Sequence, residues 1–121
     1  MLALIFAILS VAACASTGQN LPPIPPVTCT AGKDCDAKWS RAVAWVSQNS
    51  GFKIQVQTDS LIQTYGPGEP DTTNLAATVN KVAKTGDQYE IIAKIGCANL
   101  IGCTKEPRAA LTDFVKFVGG I

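Results

Sequence analysis

From residue 36 onward the apolar residues fall into repeating patterns whose period changes from one segment to the next. Over 36–49, Trp39, Ala42, Val43 and Val46 recur at i, i+3, i+4 and i+7, the spacing of one helix face. Asp34 or Asp36 can cap the start of this helix, and Ser50 with Gly51 closes it. Trp45 lies off the stripe and is expected at the flank of the core or at the surface. Over 52–58 the period drops to two. Phe52, Ile54 and Val56 point one way and Lys53, Gln55 and Gln57 the other, which predicts a half-buried strand with the polar set in water. Segments 61–65, 74–82 and 88–95 read as three further strands. The last two are joined by a hairpin turn at Lys84-Thr85-Gly86-Asp87, with glycine where a positive φ is needed. Tyr89, Ile91, Ala93 and Ile95 form the apolar face of the last strand. A second helix opens at Pro107 with Thr104 as its cap. It carries a wide stripe of Ala110, Leu111, Phe114, Phe117 and Val118 and ends at Gly119 and Gly120.

The predicted order is therefore α-β-β-β-β-α. Two amphipathic helices and a sheet with one apolar face satisfy each other as a two-layer α+β sandwich: an antiparallel β-meander of about four strands with both helices on one face. Between the second and third strands, residues 66–71 (GPGEPD) make a loop, and no internal repeat or second core is visible. One domain over 29–121 accounts for all of these elements.

Ahead of residue 29 the pattern is different. Residues 1–13 carry no charged side chain, and the first charge in the chain is Lys33. The apolar run is shorter than the roughly 17–25 residues a membrane-spanning helix needs, but has the length of a signal-peptide core. It ends in Val11-Ala12-Ala13-Cys14. These four residues resemble the lipobox of bacterial lipoproteins: an aliphatic residue, two small residues, then the cysteine. The resemblance covers the amino terminus only and implies nothing about the family of the soluble domain. It implies cleavage before Cys14, a diacylglyceryl group on the Cys14 sulfur and acylation of the new amino terminus. The basic segment that usually precedes the apolar run is missing, and the simplest reading is that translation starts a few residues upstream of Met1. Ala15 follows the cysteine where an Asp commonly retains such proteins in the inner membrane, so the resemblance implies an outer-membrane anchor facing the periplasm.

Residues 14–28 then form a tether. Two Pro-Pro pairs, Pro22 with Pro23 and Pro25 with Pro26, remove backbone donors and fix φ, so an extended polyproline-like chain is expected here. At about 3.1 Å per residue such a tether reaches roughly 40 Å. A ligand for a proline-recognising groove is the sharper reading of the same residues, and a plain spacer the simpler one.

The chain has five cysteines, an odd number for an exported protein. Assigning Cys14 to lipid leaves Cys29, Cys35, Cys97 and Cys103, which an oxidising compartment converts to two disulfides. Of the three connectivities, Cys29 with Cys35 and Cys97 with Cys103 close the shortest loops at least entropic cost and are favoured; the crossed pairings remain open. A four-cysteine zinc site fits poorly, because each pair has C-x5-C spacing rather than the C-x2–4-C of structural zinc. A redox-active pair would normally be C-x-x-C.

Charge and composition narrow the function classes. Ten basic residues against nine acidic ones, dispersed along the chain, make no footprint for nucleic acid. Histidine is absent, which excludes Ser-His-Asp and Cys-His sites within the chain and leaves no imidazole for a metal. No Gly-rich phosphate cradle, Ser-x-x-Lys or G-x-S-x-G element is present. Glu69 with Asp71 and Asp87 with Glu90 are carboxylate pairs on or beside turns, where solvated acids are the rule, rather than a glycosidase pair. Neither a catalytic residue, a metal nor a cofactor is expected. The segment 65–71, with Tyr65, Glu69 and Asp71, is the candidate partner-binding loop, since function concentrates on loops held by rigid elements. The expected protein is a non-enzymatic, lipid-anchored envelope lipoprotein that binds another envelope protein as an accessory or scaffold component. The alternative is a periplasmic inhibitor or immunity protein that neutralises a toxin or hydrolase.

Overall fold

The structure, a computed structural model, describes residues 21–120. The signal segment 1–13, Cys14 and the first part of the tether lie outside the described residues. The described chain is a two-layer α+β sandwich in the order β1 (Val27–Thr30), α1 (Lys33–Asn49), β2 (Ile54–Gln57), β3 (Leu61–Thr64), β4 (Ala76–Ala83), β5 (Gln88–Gly96) and α2 (Pro107–Gly119). One antiparallel sheet runs β1-β5-β4-β3-β2. Thus β2 to β5 form the expected meander, and a fifth strand joins at the free edge of β5.

That fifth strand lies partly in the segment read as tether. Val27 pairs with Ile91 and Cys29 with Tyr89. Val27 and Cys29 are buried while Thr28 is exposed. Four residues of β-branched and small side chains suffice for a strand here because β5 supplies the ladder and α1 covers the inward side. The packed domain therefore begins two residues earlier than the sequence boundary, at Val27.

The inward face of the sheet presents Val27, Cys29, Ile91, Val79 and Ile62, and all belong to one apolar cluster with Ala42, Trp45 and Val46 of α1 and Ala110, Phe114 and Val118 of α2. Full burial of such side chains contributes about 1.5–3 kcal/mol each. The two tryptophans exchange their expected roles. Trp45 is buried, with its Nε1 donating to Asp113 at 2.8 Å and its ring edge-on to Phe114 at 5.3 Å. Trp39 is half-buried; its Nε1 donates to the Thr58 carbonyl at 3.0 Å, and the Lys81 ammonium lies 5.3 Å from its ring centre. The second helix, which the sequence of α1 alone does not reveal, turns the Trp45 side of α1 inward. Phe117, counted in the stripe of α2, is 43% exposed.

β2 departs from strict alternation. Ile54 lies opposite Thr64, but Val56 lies opposite Gln63, with a register shift between Ile54 and Val56. Residues paired across an antiparallel ladder share a face, so the irregularity moves Val56 to the outer face beside Gln63, and Val56 is absent from the core cluster. Thr64, the buried polar residue of the core, donates its hydroxyl to the Ala77 carbonyl and accepts from the Ala77 amide at 3.0 Å, extending the β3–β4 ladder through a side chain.

Both local disulfides are present. Cys29–Cys35 ties β1 to the first turn of α1, with Cα atoms 5.0 Å apart, and Cys97–Cys103 closes the segment between β5 and α2, with Cα atoms 5.8 Å apart. The helix caps differ from the expected ones. α1 starts at Gly32, with φ 98°, and Asp34 instead accepts from the Thr30 amide at 2.8 Å. α2 is capped by Glu106, whose carboxylate accepts from the amides of Arg108 and Ala109, while Thr104 is bonded to Thr73. Among the described residues no helix is long and apolar enough to cross a membrane.

Candidate functional site

Three connectors meet at one end of the sheet: the corner from α1 to β2, the loop from β3 to β4, and the disulfide-closed segment from β5 to α2. Hydrogen bonds lace them together. The Leu75 carbonyl accepts from the Gly51 amide at 3.0 Å and from the Ser50 hydroxyl, and the Tyr65 amide donates to the Lys53 carbonyl. The Ala98 amide donates to the Thr72 carbonyl at 3.0 Å, and the Thr104 amide to the Thr73 carbonyl at 2.9 Å. Leu75, buried beneath them, belongs to the apolar core.

The close approaches explain two glycines. A methyl group on Gly51 would meet the Asn74 side chain at 2.4 Å. On Gly66 it would meet the Phe52 ring at 2.8 Å, and Gly66 has φ 71°, the left-handed region that side chains disfavour.

The candidate partner-binding residues fare differently within this frame. Tyr65 directly follows β3 and is 55% exposed. Glu69 is exposed on the loop. Asp71 is half-buried, and its carboxylate accepts from the Asn74 amide at 3.2 Å and the Asn74 side-chain nitrogen at 2.6 Å. It shapes the loop, and Tyr65 and Glu69 are the two of the three that face outward.

The same end carries a feature absent from the sequence reading. Leu100 and Ile101, at the tip of the Cys97–Cys103 loop, are 104% and 99% exposed. The Asn99 side-chain oxygen accepts from the Ile101 amide at 2.9 Å, a local turn that holds the pair at the apex. The signal was present in Cys97-Ala98-Asn99-Leu100-Ile101-Gly102-Cys103: once the cysteines pair locally, the middle of so short a loop has no interior to enter.

Elsewhere the surface concavities are shallow. A groove of about 380 Å³ between the helices is lined by Trp45, Asn49, Lys105, Glu106 and Asp113. In it Trp45 is paired with Asp113, Asn49 with the Trp45 carbonyl, and Glu106 with the start of its own helix. A second depression, about 290 Å³, lies between Gly66 and Pro67 of the loop and Thr78 and Lys94 of the sheet. Bonds from the Arg108 and Ala109 amides hold the Glu106 carboxyl below its usual range, and the Thr30 amide, then Lys38, does the same for Asp34. Both shifts stem from helix-start architecture. Among the described residues no group of three or more Cys, Asp or Glu gathers as a metal site, and no buried side-chain polar atom lacks a hydrogen bond.

These features define a disulfide-bonded two-layer α+β domain with a rigid, laced loop end. The chain matches no family model, no curated protein and no solved structure.

Proposed function

We propose that the protein is a non-enzymatic lipoprotein of the bacterial cell envelope, anchored by lipid on Cys14, that binds another envelope protein as an accessory or scaffold component. The observation that carries this reading is the pairing of Cys29 with Cys35 and Cys97 with Cys103. Two structural disulfides suit an oxidising compartment. They also account for four of the five cysteines and leave Cys14, directly after Val11-Ala12-Ala13, for acylation. The outer membrane, facing the periplasm, is the proposed location, on the strength of Ala15.

For the partner contact we assign Tyr65 and Glu69. An aromatic with a polar tip on a backbone already fixed by hydrogen bonds loses little entropy on docking, and tyrosine is enriched at binding hot spots. The test is affinity capture of the exported full chain from solubilised membranes, with Cys14→Ser and Tyr65→Ala/Glu69→Lys as comparisons. One envelope protein should be captured by the parent chain, weakly by the loop variant, and not by Cys14→Ser. If the parent and Cys14→Ser chains both capture one soluble toxin or hydrolase, the inhibitor reading replaces this one.

A further inference from the structure

We infer that Leu100 and Ile101 form a second membrane contact, inserting into the lipid bilayer beside the acylated Cys14; the inference rests on the anchor proposed above. The argument starts from how the pair is presented. Leu100 and Ile101 are fully exposed, whereas the other large apolar residues at the surface, such as Tyr65 and Phe117, keep about half of their area covered. Their loop is closed by Cys97–Cys103, turned by the bond that the Ile101 amide donates to the Asn99 side-chain oxygen, and held at both ends by Ala98 on Thr72 and Thr104 on Thr73. A pair held out so firmly is ordered before it meets any surface, which lowers the entropic cost of burying it.

The occupant follows from where the chain enters the domain. The Arg108 guanidinium, in the first turn of α2, donates to the Pro22 carbonyl. Pro25 and Pro26 lie further along α2, beside Val115 and Gly119. Followed backward from β1, the segment therefore runs along α2 toward its amino-terminal end, where Leu21, the first described residue, is half exposed. The Cys97–Cys103 loop runs into that same end of α2 through Thr104 and Glu106. Seven peptide steps separate Cys14 from Leu21, which span at most about 25 Å at full extension. The anchor thus draws this end of the molecule to the lipid and turns the apolar tip toward it. Lys105, exposed where the loop runs into α2, suits the headgroup layer, while the carboxylate of Glu106 is engaged by amides of its own helix. An acyl anchor and a short apolar insertion reinforce each other, since binding signals at one surface add.

The test uses the full chain, exported and purified from membranes, then reconstituted in phosphatidylethanolamine–phosphatidylglycerol vesicles with brominated acyl chains. A tryptophan is introduced as Leu100→Trp, or as Asp87→Trp in the β4–β5 turn at the opposite end, and its added fluorescence is read as the difference from the parent. The Leu100→Trp increment should be blue-shifted and at least halved by bromine, and the Asp87→Trp increment unchanged. A Leu100→Asp/Ile101→Asp variant, folded as judged by an unchanged melting temperature, should leave the vesicles at least threefold faster. Mass analysis of the same samples separates the two ways of failing. Acylated Cys14 with an unquenched tip overturns this inference alone, and unmodified Cys14 overturns it together with the anchor. A tip that becomes shielded only when a captured envelope protein is added is a protein contact, which also overturns it.

Discussion

Trp45 holds the two helices together through both halves of its side chain, its ring edge-on to Phe114 and its Nε1 donating to the Asp113 carboxylate. Trp45→Ala should cost about 3–5 kcal/mol, the range for a buried aromatic. Trp45→Phe should cost less, about 0.5–1.5 kcal/mol, because the exposed Asp113 carboxylate takes up water in place of the lost donor. Trp39→Ala, which removes a half-buried ring, should cost no more than about 2 kcal/mol. Urea unfolding of the three variants checks the ranking, and a Trp39 cost equal to that of Trp45 would contradict this account of the core. The i, i+3, i+4 stripe named Trp39, Ala42, Val43 and Val46 and left out Trp45, since a stripe drawn for one helix does not show on which of its flanks the second helix packs. Gly66→Ala should cost about 1–3 kcal/mol through its left-handed backbone, with the added methyl also displacing the Phe52 ring.

At the scale of elements, both ends of α2 were legible, from Pro107 and Gly120, and the residue that caps its start was not. Pro107 marks the first turn, but the cap could be assigned only with the loops in place: Thr104 is drawn to Thr73 and Asn74, and Glu106 takes the helix amides. Those amides favour ionised Glu106, so its pKa is lower in the folded chain than in the unfolded one, as it is for Asp34 with the Thr30 amide and Lys38. A lowered carboxyl pKa stabilises the fold above the unfolded value, and that contribution is lost as pH falls through the folded value. Thermal stability should therefore decline as pH drops below about 4, and the decline should be shallower in Glu106→Gln, which starts from a lower melting temperature at neutral pH. Period-two alternation found β3, β4 and β5 within one or two residues. It misplaced Val56, because an irregularity in pairing with β3 leaves no trace in the pattern of β2 itself. β1 was hidden by its neighbours: Val27 and Cys29 alternate with two threonines, but follow two Pro-Pro pairs that read as tether. Replacing Cys97 and Cys103 by Ser should cost about 2 kcal/mol on the chain-entropy model. Hydrogen exchange of amides 98–104 should accelerate in that variant while the sheet amides of β4 keep their protection.

For the whole molecule, cysteine pairing links fold to address. Two local disulfides take four of the five cysteines and leave Cys14 for the lipid of the proposed anchor. The loop end then combines what the proposals need: Tyr65 and Glu69 exposed on a laced loop, and an apolar tip near the end of α2 to which Pro22 is bonded. The exposure of Tyr65 and Glu69 was legible from the composition of their loop, whereas Asp71's structural role and the Leu100–Ile101 apex emerged only when 65–74 and 97–104 were seen bonded to each other. The most direct measurement is the mass of the amino-terminal peptide from the full chain exported by a bacterial host and recovered from its membranes. The account predicts a peptide that begins at Cys14 and carries a diacylglyceryl group and an additional acyl chain, with the Cys14→Ser chain remaining unlipidated. A membrane-recovered chain whose Cys14 carries no lipid would contradict it.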